Sequence, residues 1–261
     1  MEQNIAIILN TCDAYSDAWD VYFELLNRMW PESQNYHVVL NTETMDYSYK
    51  DMKITVHKYL GKKTPTWSEQ LISTLQDIDQ EYVLLMLEDD WLNSRVDDDK
   101  FRQCVKLMSN DKRIKMIDYT PAKCTRDGRM MMDGQFRIKE KSEKYRLNCQ
   151  VCLWRRDYLL SILRAQENPW QFEIYATRRS SIRPGIILRY CQKDGLLFDY
   201  DWGNPIVRGK WKKEYVDKLY EMHQIVVDTA KRGFFVDGTF PKPENNQSLW
   251  RRIVNNIKAL I

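Results

Sequence analysis

Three consecutive acids, Glu88, Asp89 and Asp90, follow an apolar run from Tyr82 to Leu87. Carboxylates are costly to bury at the end of a hydrophobic strand unless something cationic meets them. A divalent ion does so, and in an extended segment Glu88 and Asp90 point to one side while Asp89 points to the other. Such an i, i+2 pair of oxygen donors suits Mg2+ or Mn2+, which leave coordination positions open for diphosphate oxygens. The ion then neutralises a nucleoside-diphosphate leaving group as a Lewis acid. A solvated acidic turn is the plain alternative. Position favours the metal, because an open α/β sheet binds its ligands beyond the carboxyl ends of its strands.

The elements around the acids read as such a sheet. Residues 5–10 form a continuous apolar run, the pattern of a strand buried on both faces. Helical spacing follows at Trp19, Tyr22, Phe23, Leu26, Met29 and Trp30, stopped by Pro31, and a second strand spans 36–40. A third strand is expected over 54–60, then a helix from Trp67 to about Asp77 with Ser68 as N-cap, and the acid-bearing strand over 81–87. A helix over 97–108 and a strand over 114–119 complete the alternation, which predicts an α/β fold with a mostly parallel central sheet flanked by helices. The second half is less regular. It offers a polar stretch over 123–144 with the look of a mobile hairpin, a strand-like run over 145–152 and a helix over 155–165. A pair of strands at 185–190 and 196–200 flanks Gly195, and a long helix is expected over 213–232. We read 1–240 as one domain and 241–261 as a linker, Pro241-Lys-Pro243, with a terminal amphipathic helix over 248–261 that packs on the domain or lies on a membrane surface.

Composition narrows the function classes. Forty Lys and Arg against 37 Asp and Glu leave an excess of +3, too small to predict nucleic-acid binding. Neither a signal-peptide pattern nor a long apolar span is present, so a cytoplasmic protein is expected, with the inner face of the cell membrane as the site of any contact through Ser248 to Ile261. Six scattered cysteines suit reduced thiols, and Cys149-Gln-Val-Cys152 lacks the second pair that a zinc site needs. Only three histidines occur, without metal-binding spacing, which disfavours a metal phosphohydrolase.

Several short segments in order carry a family resemblance. They are Asn10-Thr-Cys-Asp13, Trp67-Ser-Glu69, Leu87-Glu-Asp-Asp-Trp91, Trp154-Arg-Arg156, Glu167-Asn-Pro-Trp-Gln-Phe-Glu173 and Gly209-Lys-Trp211. With these the chain resembles bacterial glycosyltransferases of the GT-A fold from capsule, O-antigen and exopolysaccharide gene clusters. The resemblance implies sugar transfer from a nucleotide-sugar, a UDP-sugar being the expected donor, to a saccharide or lipid-linked acceptor. It places Thr11, Asp13 and Glu43 near the nucleotide, although Thr11 and Asp13 equally fit a turn with an N-cap. Glu69 touches donor or acceptor on this reading, or simply favours its helix's first turn.

The family's metal motif is Asp-x-Asp, and here a glutamate stands first. Asp90 is therefore the principal ligand and Glu88 the conditional one, while Asp89 orients the sugar. An inverting transfer needs a base opposite the leaving group. Glu173 is preferred by resemblance and Glu167 is the second choice; both flank Pro169-Trp170, and surface acids beside a structural Trp remain the alternative. Among the basic residues that follow, Arg208 and Lys210 are the choice for pairing with the diphosphate, against simple surface solvation. Two other readings stay open: a sugar nucleotidyltransferase, which normally carries a glycine-rich loop after the first strand, and a non-catalytic scaffold docked at a membrane.

Overall fold

The computed structural model describes residues 4–61, 64–121, 128–191, 195–201 and 205–236. The terminal helix over 248–261 and the boundary at 240 lie outside the described residues. The sequence alternation produces β1 (Ile5–Asn10), α1 (Trp19–Met29), β2 (His37–Thr42), β3 (Ile54–Lys58), α2 (Trp67–Asp77), β4 (Tyr82–Met86), α3 (Asp98–Asn110) and β5 (Ile114–Asp118). The second half adds β6 (Met130–Met131), β7 (Phe136–Ile138), β8 (Cys152–Arg155), α4 (Arg156–Ile162), α5 (Pro169–Ile182) and β9 (Ile186–Tyr190). A small hairpin, β10 (Ile206–Val207) and β11 (Lys210–Trp211), and α6 (Lys213–His223) close the described chain.

Among the described residues nine strands form one mixed sheet in the order β3-β2-β1-β4-β8-β5-β9-β7-β6. β3, β2, β1 and β4 run parallel, and β8 enters antiparallel between β4 and β5. Because side chains alternate across a strand, one core forms on each face. Ile5, Ile7, Leu9, Leu84 and Met86 meet Phe23 and Trp30 from α1's side and Phe101 of α3. Ala6, Ile8, Val83 and Leu85 meet Leu71 and Leu75 of α2, Leu159 of α4 and Phe172 of α5. Each fully buried Val, Leu, Ile or Phe contributes about 1.5–3 kcal/mol. A third cluster folds the carboxyl-terminal part back onto α1, with Val21 and Leu25 against Trp91, Trp211 and Leu219.

Several expectations need correction. The N-cap of α2 is Thr66, not Ser68: Thr66 Oγ1 accepts from the Glu69 amide at 3.0 Å, and Glu69 Oε2 accepts from the Thr66 amide at 3.0 Å, a reciprocal capping box. The run over 145–152 is irregular until β8 begins at Cys152. Residues 196–200 do not pair with β9; Tyr200 instead bridges Leu92. The helix expected to reach 232 ends at His223, where Gln224 takes a left-handed cap at φ 55. A helix was missed altogether: Pro169-Trp170 is no isolated elbow but the first turn of α5, capped by Asn168 and Gln171. Cys12, Cys104, Cys149 and Cys152 are free thiols, as expected, but Cys191 is disulfide-bonded. Among the described residues no helix is long and apolar enough to cross a membrane.

Candidate functional site

Strand register brings the candidate residues to one edge. β1 and β4 are parallel with Leu9 opposite Met86, and β1 and β2 are parallel with Asn10 opposite Asn41. The loops that begin at Thr11, Glu43 and Leu87 therefore emerge side by side. β8 runs the other way, with Cys152 opposite Leu85, so the residues entering it arrive at the same edge.

The acids do not continue the strand. β4 ends at Met86, and Leu87 to Asp90 form a tight turn in which the Asp90 amide donates to Leu87 O at 3.1 Å. Asp90, 5% exposed, accepts from the Leu87 amide through Oδ2 at 2.8 Å and so locks the turn. The alternation expected of an extended segment does not apply, and Glu88 and Asp89 occupy the two corners, each half-buried. Trp91 fixes the far side, its indole N–H donating to Glu88 O at 3.1 Å. Burial and the charge of Asp89 push Glu88 up to about 8, burial pushes Asp89 up to about 6, and burial with Asp89 lifts Asp90 well above the usual carboxylate range.

Thr11 opens the loop after β1, beside this turn. Its hydroxyl accepts from the Trp19 indole at 3.1 Å, and it acts against the rise of the Glu88 carboxyl. Asp13 is turned elsewhere. It accepts from Thr42 Oγ1 at 2.6 Å, Thr44 Oγ1 at 2.6 Å and the amides of Glu43, Thr44 and Met45, while Glu43 Oε2 accepts from the Asp13 amide at 3.1 Å. Burial alone would raise the Asp13 carboxyl, but these hydrogen bonds outweigh it and hold it down to about 2. Asp13 and Glu43 thus clasp the loops after β1 and β2 to one another. Glu69 sits in the capping box of α2, and it is its neighbour Gln70 that reaches the site, donating to Thr11 O at 3.1 Å.

Arg232 was not foreseen. Its guanidinium pairs with Asp17, donates to Ala14 O at 3.0 Å and Gly209 O at 3.2 Å, and lies 4.6 Å over the Tyr15 ring and 5.1 Å over Trp211. It is also the cation that opposes the rise in Glu88's pKa. Trp211 packs 5.6 Å from Trp91, so the β10–β11 hairpin is seated on the residue that follows the acids. The two-residue turn of that hairpin, Arg208 at φ 51 and Gly209 at φ 74, carries exposed Arg208, with exposed Lys210 just beyond.

The two base candidates separate clearly. Glu167 is 2% exposed, and both its oxygens accept from Arg179, at 2.7 and 2.6 Å. That carboxylate is consumed by a buried ion pair tying the start of α5 to its later turns, which removes it as a base. Glu173, half-buried on α5, accepts from the Cys149 amide at 3.0 Å, and burial raises its pKa. The buried Cys149 thiol feels both Glu173 and Asp90 and is itself held well above the usual thiol range, mainly by burial. Cys149, three residues before β8, thus bonds Glu173 on the segment that enters the sheet beside the end of β4.

Glu88, Asp89 and Asp90 are oxygen donors with an excess of negative charge, which fits a hard divalent cation. No group of three or more His, Cys, Asp or Glu gathers as a metal cage among the described residues, so such an ion would draw other ligands from water or a diphosphate. The raised values have a thermodynamic consequence. Acids whose pKa is higher folded than unfolded bind protons more tightly when folded, so their contribution is full below about pH 4 and lost as pH rises through about 6 and about 8. The thermal midpoint in EDTA is expected to fall across that window, and Glu88→Gln to flatten its upper part; an unchanged slope in the variant would refute the assignment.

The chain has a GT-A-like fold, a mixed Rossmann-type sheet flanked by helices with its acid turn at the carboxyl edge. Among solved structures it is similar to S. aureus TarS in complex with UDP, at 11% identity and a TM-score of 0.51, over 73% of this chain and 59% of that one. It is also similar to a mannosyltransferase from Pyrobaculum calidifontis in complex with GDP-Man and Mn2+, at 11% identity, a TM-score of 0.46, and 75% and 59% coverage. A cytidylyltransferase from Leptospira borgpetersenii aligns at 10% identity with a TM-score of 0.44, over 73% of this chain and 77% of that one. Likeness at such identities establishes the fold alone, and the chain spans only 59% of the TarS chain it aligns with. No protein-family model and no curated protein sequence matches the chain.

Proposed function

We propose that the protein is a glycosyltransferase moving a sugar from a nucleoside-diphosphate donor to a hydroxyl of a saccharide or lipid-linked acceptor, with inversion. Surface-polysaccharide synthesis is the setting that the family resemblance implies. The observation that carries the proposal is the junction at the sheet's carboxyl edge. The acid turn emerges beside the β1 loop, and a carboxylate of raised pKa, Glu173, is bonded to the Cys149 amide on the segment that enters β8 next to β4. The UDP held by TarS, on a shared fold, supports a UDP-sugar as donor.

Each residue then has a task. Asp90, through the oxygen not spent on Leu87, and Glu88 are the ligands for Mg2+ or Mn2+, which when bound supplies charge neutralisation for the diphosphate. Asp89, at the corner of the turn, orients the donor sugar. Thr11 favours the charged form of Glu88, and the Asp13–Glu43 clasp shapes the floor beneath the nucleotide. Arg208 and Lys210, presented by the seated hairpin, offset the remaining phosphate charge. Glu173 accepts the proton of the attacking hydroxyl, held in orientation by the Cys149 amide. A nucleotidyltransferase is less well supported, because the β1 loop, Thr11 to Asp13, has no glycine and buries Thr11.

Thermal shift with UDP-glucose, UDP-galactose and UDP-GlcNAc, each with and without Mn2+, tests the reading. One donor with Mn2+ is expected to stabilise the protein by about 2.7 kcal/mol at a hundred times its dissociation constant. Asp90→Asn, which keeps an acceptor for the Leu87 amide, should lose the part that depends on metal. Absence of stabilisation by every donor with either Mn2+ or Mg2+ would sink the proposal.

A further inference from the structure

A cavity of about 420 Å³ opens between the 141–145 loop and α5, and Glu173 lies in its wall. That volume suits one or two sugar rings. Lys141 and Lys144, both exposed, line it together with Arg178. Glu143, also in the wall, is matched by Arg137 in a two-point pair at 2.7 and 2.8 Å, so its charge is already answered. The two exposed lysines make a cationic rim around one carboxylate.

An aromatic ring stands at the same place. Tyr145 is 57% exposed, and its backbone is left-handed at φ 51, a conformation that costs a non-glycine residue about 1–3 kcal/mol. The conformation is held from below, where buried Lys139 donates to Tyr145 O at 2.8 Å while paired with buried Asp118 at 2.8 Å. A buried ion pair thus fixes a strained residue whose ring packs into no core. On α5, Ile174, 44% exposed, lines the cavity, and Trp170, 73% exposed, stands one turn before it. Exposed aromatic and apolar faces beside cations are what an anionic sugar needs: a ring to stack on and charge for its acidic group.

We propose that this cavity is the acceptor subsite and that the acceptor is an anionic saccharide, a sugar carrying a phosphate or carboxylate. Its ring lies against Tyr145 and Ile174, its acidic group pairs with Lys141 and Lys144, and its nucleophilic hydroxyl meets Glu173. The assignment deepens the proposed function and rests on Glu173 being the base.

Ligand-observed NMR titrations with glucose, glucose 6-phosphate, glucuronic acid and inorganic phosphate test it. The two charged sugars are expected to bind about tenfold or more tighter than glucose, and at least one of them tighter than phosphate alone. The ratio between them tells phosphate from carboxylate. The double substitution Lys141→Glu, Lys144→Glu should abolish the preference with the thermal midpoint unchanged, since both lysines are exposed. Tyr145→Gly, which accepts the positive φ, should weaken every sugar and leave phosphate unaffected. Equal binding of charged and neutral sugars, no binding of any sugar, or a preference that survives the charge reversal would each overturn the proposal. If the binding pattern holds but no donor is ever used, the glycosyltransferase reading fails and the sugar site stands. If transfer occurs to neutral acceptors without preference, the reverse is true.

Discussion

Glu173→Gln is expected to lower kcat about 10²–10⁴-fold while leaving stabilisation by donor and Mn2+ intact. The amide keeps the shape of the side chain and its acceptor for the Cys149 amide, 3.0 Å away, but cannot take a proton. Burial raises the Glu173 carboxyl above its ordinary value, against the lowering effects of the Cys149 amide and Lys139. A base works deprotonated, so kcat/KM of the natural protein should climb as pH rises through that elevated pKa, and the variant should lack this limb. Glu167→Gln is the control. It disturbs the buried pair with Arg179 and should lower stability while the folded fraction keeps its turnover. Retention of more than about a tenth of the activity by Glu173→Gln would remove it from the chemistry.

How much of this was legible in the sequence depended on whether the signal was local. β1 and β4 were readable because fully buried parallel strands are apolar at every position, and their ends located the carboxyl edge and its acids. The use to which each acid is put was not readable. Asp90 turns back onto the Leu87 amide because the strand stops at Met86, one residue before the apolar run ends. α5 escaped notice because its buried residues, Phe172, Ala176, Arg179 and Ser180, mix apolar and polar types and leave no clean stripe. Without that helix the partner of Glu167 could not be seen, and the acid looked available. Its start was nonetheless written in Asn168-Pro169-Trp170-Gln171, a capping box with proline at N1. Arg232 carried no local mark: it follows a helix that ends earlier than its amphipathic pattern suggested, and its partners Asp17 and Tyr15 lie at the other end of the chain.

Lys139→Met should destabilise the fold by about 3–5 kcal/mol, near the lower end of that range, as measured by urea unfolding. Removing one member of a buried pair strands the other, and Asp118 is fully buried. Its remaining contacts soften the loss: Asn148 Nδ2 donates to it at 3.1 Å, the Thr120 amide at 2.9 Å, and Arg189 lies 3.7 Å away. In the natural protein burial pushes the Asp118 carboxyl up, and Lys139 and Arg189 outweigh it, bringing it down to about 2. A depressed carboxylate contributes stability above its unfolded value near 3.8 and loses it as pH falls through about 2. Without Lys139 the burial effect gains ground, so the gap between variant and natural protein should narrow as pH drops through that window. A gap that is constant with pH would mean the loss is packing of the lysine stem and not charge. The same substitution frees Tyr145 O, and with it the restraint on a strained residue at the cavity. Sugar binding should therefore weaken in Lys139→Met even at temperatures where the protein is fully folded, which links the buried pair under the sheet edge to the recognition surface above it.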